Sequence, residues 1–321
     1  MISKKMPTSK SKSKWLGITL GDPSGIGAEI TAKALRDPSV AKLANYKLIG
    51  DGVIFRKFGL KETARCRLID LKNFSSFNKI KQGVDRRNGL AAWSYLKKAV
   101  QLLKSGQIQA LVTAPVSKEA IALSHPHFLG HTEFLAQHFC AKGVEMMFVH
   151  KSLHVVLVTR HIPIKKVPRA ITPQKVLATI ELADKTLKNL FNIKRPRIAV
   201  SGLNPHAGES GLLGQEERTS IIPAVKKARL KKIRAWGPFA ADTLFTSVNR
   251  KKYDAFIAMY HDQGLTPAKT LFFDTLVNVS IGLPFIRTSP DHGTAFDIAG
   301  KNRADPSSMK EAIKLAVRLS R

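Results

Sequence analysis

A chain of 321 residues with 44% hydrophobic and 24% charged residues has the balance of a folded protein of about two domains, which excludes wholesale disorder. Only Cys66 and Cys140 are present, which excludes a disulfide framework and a thiolate metal cage; no apolar run approaches the ~20 residues of a membrane span, and a reducing cytoplasm is the expected compartment. The net charge is +30, and the lysines of residues 1–14 account for only five of those charges. The rest gather at Lys194–Arg197, Lys226–Arg234 and Arg250–Lys252. Aromatic residues are 7% of the chain and do not interleave with these clusters, so no stacking surface argues for nucleic acid as the main partner. A basic surface that attracts small anions remains.

Residues 1–14, rich in Lys and Ser, lack the arginine and amphipathic period of an organelle leader and read as a disordered basic tail. Trp15–Leu20 reads as a strand running into Gly21-Asp-Pro-Ser-Gly-Ile-Gly and a helix from about Ala28. The glycines at 21, 25 and 27 do not have the GxGxxG spacing of a dinucleotide loop. Two readings stay open there: a tight turn with Asp22 or Ser24 capping the helix, or direct ligand contact. Asn88–Leu103 has helical spacing through Leu90, Trp93, Leu96, Val100 and Leu103, followed by a strand at Ala110–Thr113. In Gly130-His-Thr-Glu-Phe, His131 and Thr132 open a helix whose apolar face holds Phe134, Leu135 and Phe139. Its free amides and positive dipole end suit a phosphate or carboxylate, against the plainer reading of a Thr-capped helix with His131 at the surface.

Three apolar runs, His154–Thr159, Ile198–Leu203 and Ala255–Tyr260, read as buried strands, and each ends at a histidine: His161, His206 and His261. The ends of strands in an α/β sheet converge on the ligand crevice, so three imidazoles placed there would suit a catalytic divalent ion. Asp242 and Asp262 are candidate ligands or supporting carboxylates. Pro173–Phe191 is a helix with Val176, Ile180, Ala183, Leu187 and Leu190 on one face. Lys269, Asn278 and Arg287 form a polar series after the third histidine. Asn278 interrupts the apolar run Leu276–Ile281, which implies an inward-facing polar contact, and Arg287 offers a fork for phosphate or carboxylate. The stretch His292–Asn302 reads as a loop before a helix at Pro306–Leu319, with Gly293 allowing close backbone approach and Asp297 suited to a diol. The remaining histidines read as structural. Strands alternating with helices predict a layered α/β protein with a largely parallel sheet.

GDPSGIGAE, TAPVSKEAI, GHTEFLA, NPHAGESGLLGQEE, GPFAADTLF, YHDQGL and GLPFIRTSPDHGTAFDIAG follow in order from Gly17 to about Ile313. Together they resemble the 4-hydroxythreonine-4-phosphate dehydrogenase family of pyridoxal phosphate biosynthesis. The resemblance implies a three-layer α/β/α fold related to isocitrate and isopropylmalate dehydrogenases, and a homodimer with active sites in a cleft at its interface. Residues 15–126 and 285–321 would form a discontinuous cofactor-side domain, and residues 127–284 the metal, substrate and dimerisation domain. His161, His206 and His261 would hold one divalent ion (zinc, magnesium or cobalt), with one of them contributed across the dimer. His131, Thr132, Lys269, Asn278 and Arg287 would contact a phosphorylated substrate, with Lys269 and Asp242 in the chemistry. His292, Gly293, Thr294, Ala295, Asp297 and Asn302 match an adenosine-binding loop, and the carboxylate of Asp297 would favour NAD over NADP. Arg160 stands where this family usually has Thr or His, and Ser117 where it usually has Asn. These departures leave room for a sister enzyme acting on 4-phosphothreonate or 4-phosphoerythronate.

Overall fold

A computed structural model describes residues 14–320; the expected tail, residues 1–13 of it, lies outside the described residues. Eleven strands form one sheet: β1 Trp15–Thr19, β2 Asn45–Gly50, β3 Cys66–Asp70, β4 Ala110–Thr113, β5 Glu145–His150, β6 Leu153–Leu157, β7 Arg197–Ser201, β8 Arg234–Phe239, β9 Ala255–Ala258, β10 Val277–Ile281 and β11 Ile286–Pro290. Their order is β3-β2-β1-β4-β11-β10-β5-β6-β9-β7-β8. Pairings from β3 to β11 and from β6 to β8 are parallel. The three central ones, β11–β10, β10–β5 and β5–β6, are antiparallel. The sheet is therefore largely parallel, as expected, but its two halves run in opposite directions.

Alternation along the strands makes the layers. Val156, Ile198, Val200 and Ile257 join one core, shared with Val176, Ile180, Ala183 and Leu187 of the helix Pro173–Asn189. Their neighbours Val155, Leu157, Ala199, Phe256 and Ala258 join another, shared with Leu265 and Ala268 of the helix His261–Phe272. Successive strand side chains point to opposite faces, so two cores filled by alternate residues place helices on both sides of the sheet. Among the described residues no helix is long and apolar enough to cross a membrane.

One expected stripe needs correction. In the helix Arg86–Lys104 the buried face runs through Ala92, Tyr95, Leu96, Ala99 and Val100, while Leu90 is exposed and Trp93 and Leu103 are half-buried. Small residues mark this face because it packs closely: a Cβ on Gly89 would lie 2.0 Å from the Ala120 carbonyl oxygen. Tyr95 is buried because its hydroxyl donates to the carboxylate of Asp51. Large-aliphatic periodicity misses a face built from alanines and a satisfied phenol.

The histidines expected at strand ends follow β6, β7 and β9 in this order: His161, His206, His261. The basic segments 194–197, 231–234 and 250–252 precede β7, β8 and β9, at the other ends of the same parallel strands. They touch one another: Arg234 donates to the Arg195 carbonyl (3.2 Å) and Arg197 to that of Lys251 (3.3 Å).

Candidate active site

A cleft of about 280 Å³ is lined from both halves of the sheet by Thr113, Lys118, His131, Thr132, Glu133, His161, His261, Lys269, Asn278, Arg287, Asp291, His292 and Gly293, among others. At its floor Arg287, on β11, is 2% exposed. Its Nε and Nη2 donate to Thr113 Oγ1 (3.2 and 2.6 Å) and its Nη1 to Ser280 Oγ (3.1 Å). The Ser280 hydroxyl also shares a hydrogen bond with that of Thr132 (3.0 Å). No carboxylate pairs with this guanidinium among the described residues. Burial pulls its pKa down to about 10, so it remains a cation at neutral pH. Glu133 favours the charged form only from beyond ion-pair distance, so a buried cation whose direct partners are hydroxyls is incomplete until an anion arrives.

Other lining atoms are incomplete as well: among the described residues His131 Nε2, Asn278 Oδ1, Asp291 Oδ2 and His292 Nε2 are buried without hydrogen-bond partners. His131 is the first residue of the helix His131–His138, entered through Gly130 with φ 151° and no side-chain cap. Its ring faces the cleft, so the reading of a Thr-capped helix with a surface histidine does not hold; Thr132 uses its hydroxyl on Ser280 instead. Burial first, then Arg287 and Lys118, hold the His131 pKa well below 6.5. An unfolded chain takes up this proton as pH falls through the ordinary histidine value of ~6.5, and the folded chain resists it. The stability contributed is therefore complete above ~pH 6.5 and declines below it. We expect the denaturation midpoint to fall between about pH 7.5 and 5.5, and His131→Gln to flatten that fall by up to about 1.4 kcal/mol per pH unit. Identical slopes in the two proteins would refute this account.

Lys269 Nζ lies 3.3 Å from both the carbonyl and Oδ2 of Asp291. Burial raises the Asp291 pKa, opposed by Lys269. The rings of His161 and His261 are 5.4 Å apart at 42°. The Nδ1 of His261 bonds Asp262 Oδ1 (2.7 Å), which leaves Nε2 free, the usual supporting arrangement of a metal-bound imidazole. Burial, followed by Lys118 and His261, lowers the His161 pKa and favours the neutral form that binds metals. These two imidazoles fit a divalent ion but do not complete its shell. His206 is exposed, with φ 53°, and is not among the lining residues; nor is the exposed Asp242. No group of three metal-ligating side chains forms within one chain among the described residues.

The loop expected to bind adenosine closes on the Gly21 turn. Ile26 N donates to Thr294 O (3.0 Å), Gln82 Nε2 to Phe296 O (2.8 Å), and Lys33 Nζ to Asn302 O (2.9 Å). Ala295 and Asn302 adopt left-handed backbone, and the Asp297 carboxylate is exposed. His292 and Gly293 line the cleft. A Cβ on Gly293 would meet nothing within 4 Å, so this chain itself does not require glycine there. The Gly21 turn does require it: φ is 80° and a Cβ would sit 2.2 Å from Pro115 O. Asp22 and Ser24 do not cap the helix that follows. Asp22 Oδ1 accepts from Ser24 N (3.0 Å) and Oγ (2.9 Å), Ser24 Oγ also lies 3.1 Å from Gly83 O, and Asp22 Oδ2 is buried without a hydrogen-bond partner among the described residues.

Several residues of the site escaped sequence reasoning. Lys118 brings a further cation beside His131 and His161; it lies within TAPVSKEAI, but a helix-start lysine carries no local signal of direction. Thr113 and Ser280 are ordinary strand residues in the sequence and become the cradle of Arg287 only through strand order. Both departures from the family pattern have structural roles. Ser117 caps the helix Lys118–Ala122 by accepting from Ala120 N (3.0 Å), and Arg160 lies between Glu133 (3.4 Å) and Glu145 (3.6 Å). Of the other histidines, His125 stacks on Trp93 and His150 on Phe272, His154 Nδ1 bonds Asp254 O, and His127 is exposed.

Residues 29–316 match the family described as "Pyridoxal phosphate biosynthetic protein PdxA". The chain is 43% identical over 319 residues to a 4-hydroxythreonine-4-phosphate dehydrogenase of Desulforapulum autotrophicum, covering 94% of each. It is 40% identical over 333 residues to a protein of Oceanobacillus iheyensis named for D-threonate 4-phosphate, covering 97% of this chain and 99% of the other. Its fold superimposes on a 4-hydroxythreonine-4-phosphate dehydrogenase from Klebsiella pneumoniae with a TM-score of 0.83 at 34% identity, over 96% of this chain and 100% of that one.

Proposed function

Because the chain belongs to the pyridoxal phosphate biosynthetic protein PdxA family, as a dehydrogenase, we propose that it oxidises 4-phosphohydroxy-L-threonine with NAD in a divalent-metal-dependent reaction. The product, 2-amino-3-oxo-4-phosphohydroxybutanoate, then loses carbon dioxide to give 3-amino-2-oxopropyl phosphate. The observation that carries this reading is the buried, carboxylate-free Arg287 flanked by the unpartnered His131 Nε2 and Asn278 Oδ1. Such a set demands an anionic ligand that also carries hydrogen-bonding groups.

The guanidinium of Arg287 and the His131 and Thr132 helix start bind the phosphate, with Lys118 beside them. Asn278 orients a substrate hydroxyl through Oδ1. Lys269 moves the proton at the reacting hydroxyl, and Asp291 holds its ammonium in place (3.3 Å). A divalent ion held by His161 and His261, with His206 from a second copy, supplies Lewis-acid polarisation when bound. Asp242 likewise reaches the chemistry only from a second copy. NAD would supply the hydride acceptor, and the His292–Asn302 loop, with Asp297, would hold its adenosine. In this reading residues 15–126 and 285–321 carry the cofactor, and residues 127–284 the metal and the dimer contact.

A second reading, a sister dehydrogenase of 4-phosphothreonate or 4-phosphoerythronate, is favoured by one feature. Both carboxylates lining the cleft already face a cation of this chain, Glu133 with Arg160 (3.4 Å) and Asp291 with Lys269 (3.3 Å), which leaves less negative charge for a substrate ammonium. Initial rates of NADH formation on the three substrates decide between them. The first reading expects 4-phosphohydroxy-L-threonine to lead, with turnover abolished by chelator and restored by zinc, magnesium or cobalt. Preference for either hydroxy acid overturns it, and no NADH from any of the three overturns both.

A further inference from the structure

His206 lies in a run of five residues, His206, Ala207, Gly208, Glu209 and Ser210, whose φ values fall between 42° and 79°. Four of the five are not glycine. L-residues disfavour this left-handed region, and a run of them persists only where the surroundings over-determine it. A buried carboxylate lies against this loop. Glu217 is 2% exposed and pairs with no cation among the described residues.

Its Oε1 accepts from the backbone amides of Leu203 and Asn204 (both 2.7 Å), and its Oε2 from Asn204 Nδ2 (2.8 Å). The loop winds closely around it. A Cβ on Gly208 would lie 2.6 Å from Glu217 Oε2, and one on Gly202 would lie 2.8 Å from Ala207 Cα. Glu217 opens a π-helical turn, Glu217–Ile221, that leads into the helix Ile222–Leu230 packed in the core. Strain at 206–210 is thus anchored through one side chain to a rigid element. We propose that Glu217 is a positioning residue, whose carboxylate holds the left-handed loop in the shape that presents His206 away from its own chain.

The metal arm of the test rests on reading His206 as a ligand in a second copy's cleft; the backbone arm does not. Glu217→Gln keeps one acceptor oxygen for the two amides and sets an amide donor against Asn204 Nδ2, while Glu217→Ala removes all three bonds. In the dimer, hydrogen exchange of amides 203–211 is expected to accelerate by about tenfold or more in the alanine variant and less in the glutamine variant. Zinc affinity, from competition titration, is expected to weaken by about 10–100-fold, the usual range for residues that orient a ligand. NAD affinity stays as in the wild type. If the alanine variant does not fold, the glutamine variant decides. Wild-type exchange rates across 203–211 overturn the proposal whatever the zinc titration shows. Wild-type zinc affinity in His206→Ala would instead remove the ligand reading, and the exchange rates would still decide the role of Glu217.

Discussion

Arg287→Met is expected to lower kcat/KM for the phosphorylated substrate by about a thousandfold, within the ~2–5 kcal/mol that truncating a buried, hydrogen-bonded charge removes. The free protein should at the same time melt a few degrees higher. The two effects have one cause. Among the described residues the 2% exposed guanidinium meets hydroxyls but no carboxylate, and Glu133 acts only from beyond ion-pair distance, so much of its desolvation is offset only when an anion binds. Methionine fills similar volume without that penalty; Thr132 still partners the Ser280 hydroxyl, and the stranded Thr113 Oγ1 limits the gain to a few degrees. Arg287→Lys should lose most of the activity too, because an ammonium cannot reproduce the planar fork. Steady-state kinetics with scanning calorimetry checks both halves. Unchanged kcat/KM would place the anion elsewhere, and a large fall in melting temperature would show that Arg287 serves the fold instead.

His206→Ala and His261→Ala should each abolish metal-dependent turnover while leaving a folded protein, yet mixed subunits should recover part of it. His261 lines the cleft and His206 does not, so under the proposed sharing a heterodimer of the two variants assembles one intact site and one doubly damaged site. Random reassortment then restores about a quarter of wild-type activity. No recovery on mixing, with dimers shown to exchange, would mean that both histidines act on the same chain or that His206 is not a ligand. Near-normal activity in His206→Ala alone would refute the ligand assignment outright.

Much of the scaffold was legible because burial writes itself into the chain. The runs before the three histidines became β6, β7 and β9 within a residue or two of their expected bounds, and Ala110–Thr113 became β4. The helix Pro173–Asn189 buried the expected Val176, Ile180, Ala183 and Leu187. In the helix Arg86–Lys104 the expected Leu96 and Val100 are buried but Leu90 is exposed, and the alanines and hydrogen-bonded tyrosine that complete the buried face carry little hydrophobic signal. Within the candidate site, Asn278 stood out as a polar residue inside an apolar run and Arg287 as a fork for an anion, while His131 was open between a ligand contact and a surface position until the fold buried its Nε2 in the cleft. Lys118, Thr113 and Ser280 did not stand out, because nothing local tells a lysine or hydroxyl that it faces a cleft.

Local periodicity, turn residues and ordered motifs therefore determined the elements, the α/β class and the family. Tertiary structure alone decided that β10 and β5 run antiparallel between neighbours and so bring Asn278 and Ser280 beside Thr113 and Arg287. It also decided that His161 and His261 meet while His206 turns outward on a left-handed loop. The division has a physical origin. Secondary structure answers to neighbours three or four residues away, whereas a binding site answers to strand order and to where uncompensated buried charge and unpaired polar atoms are gathered.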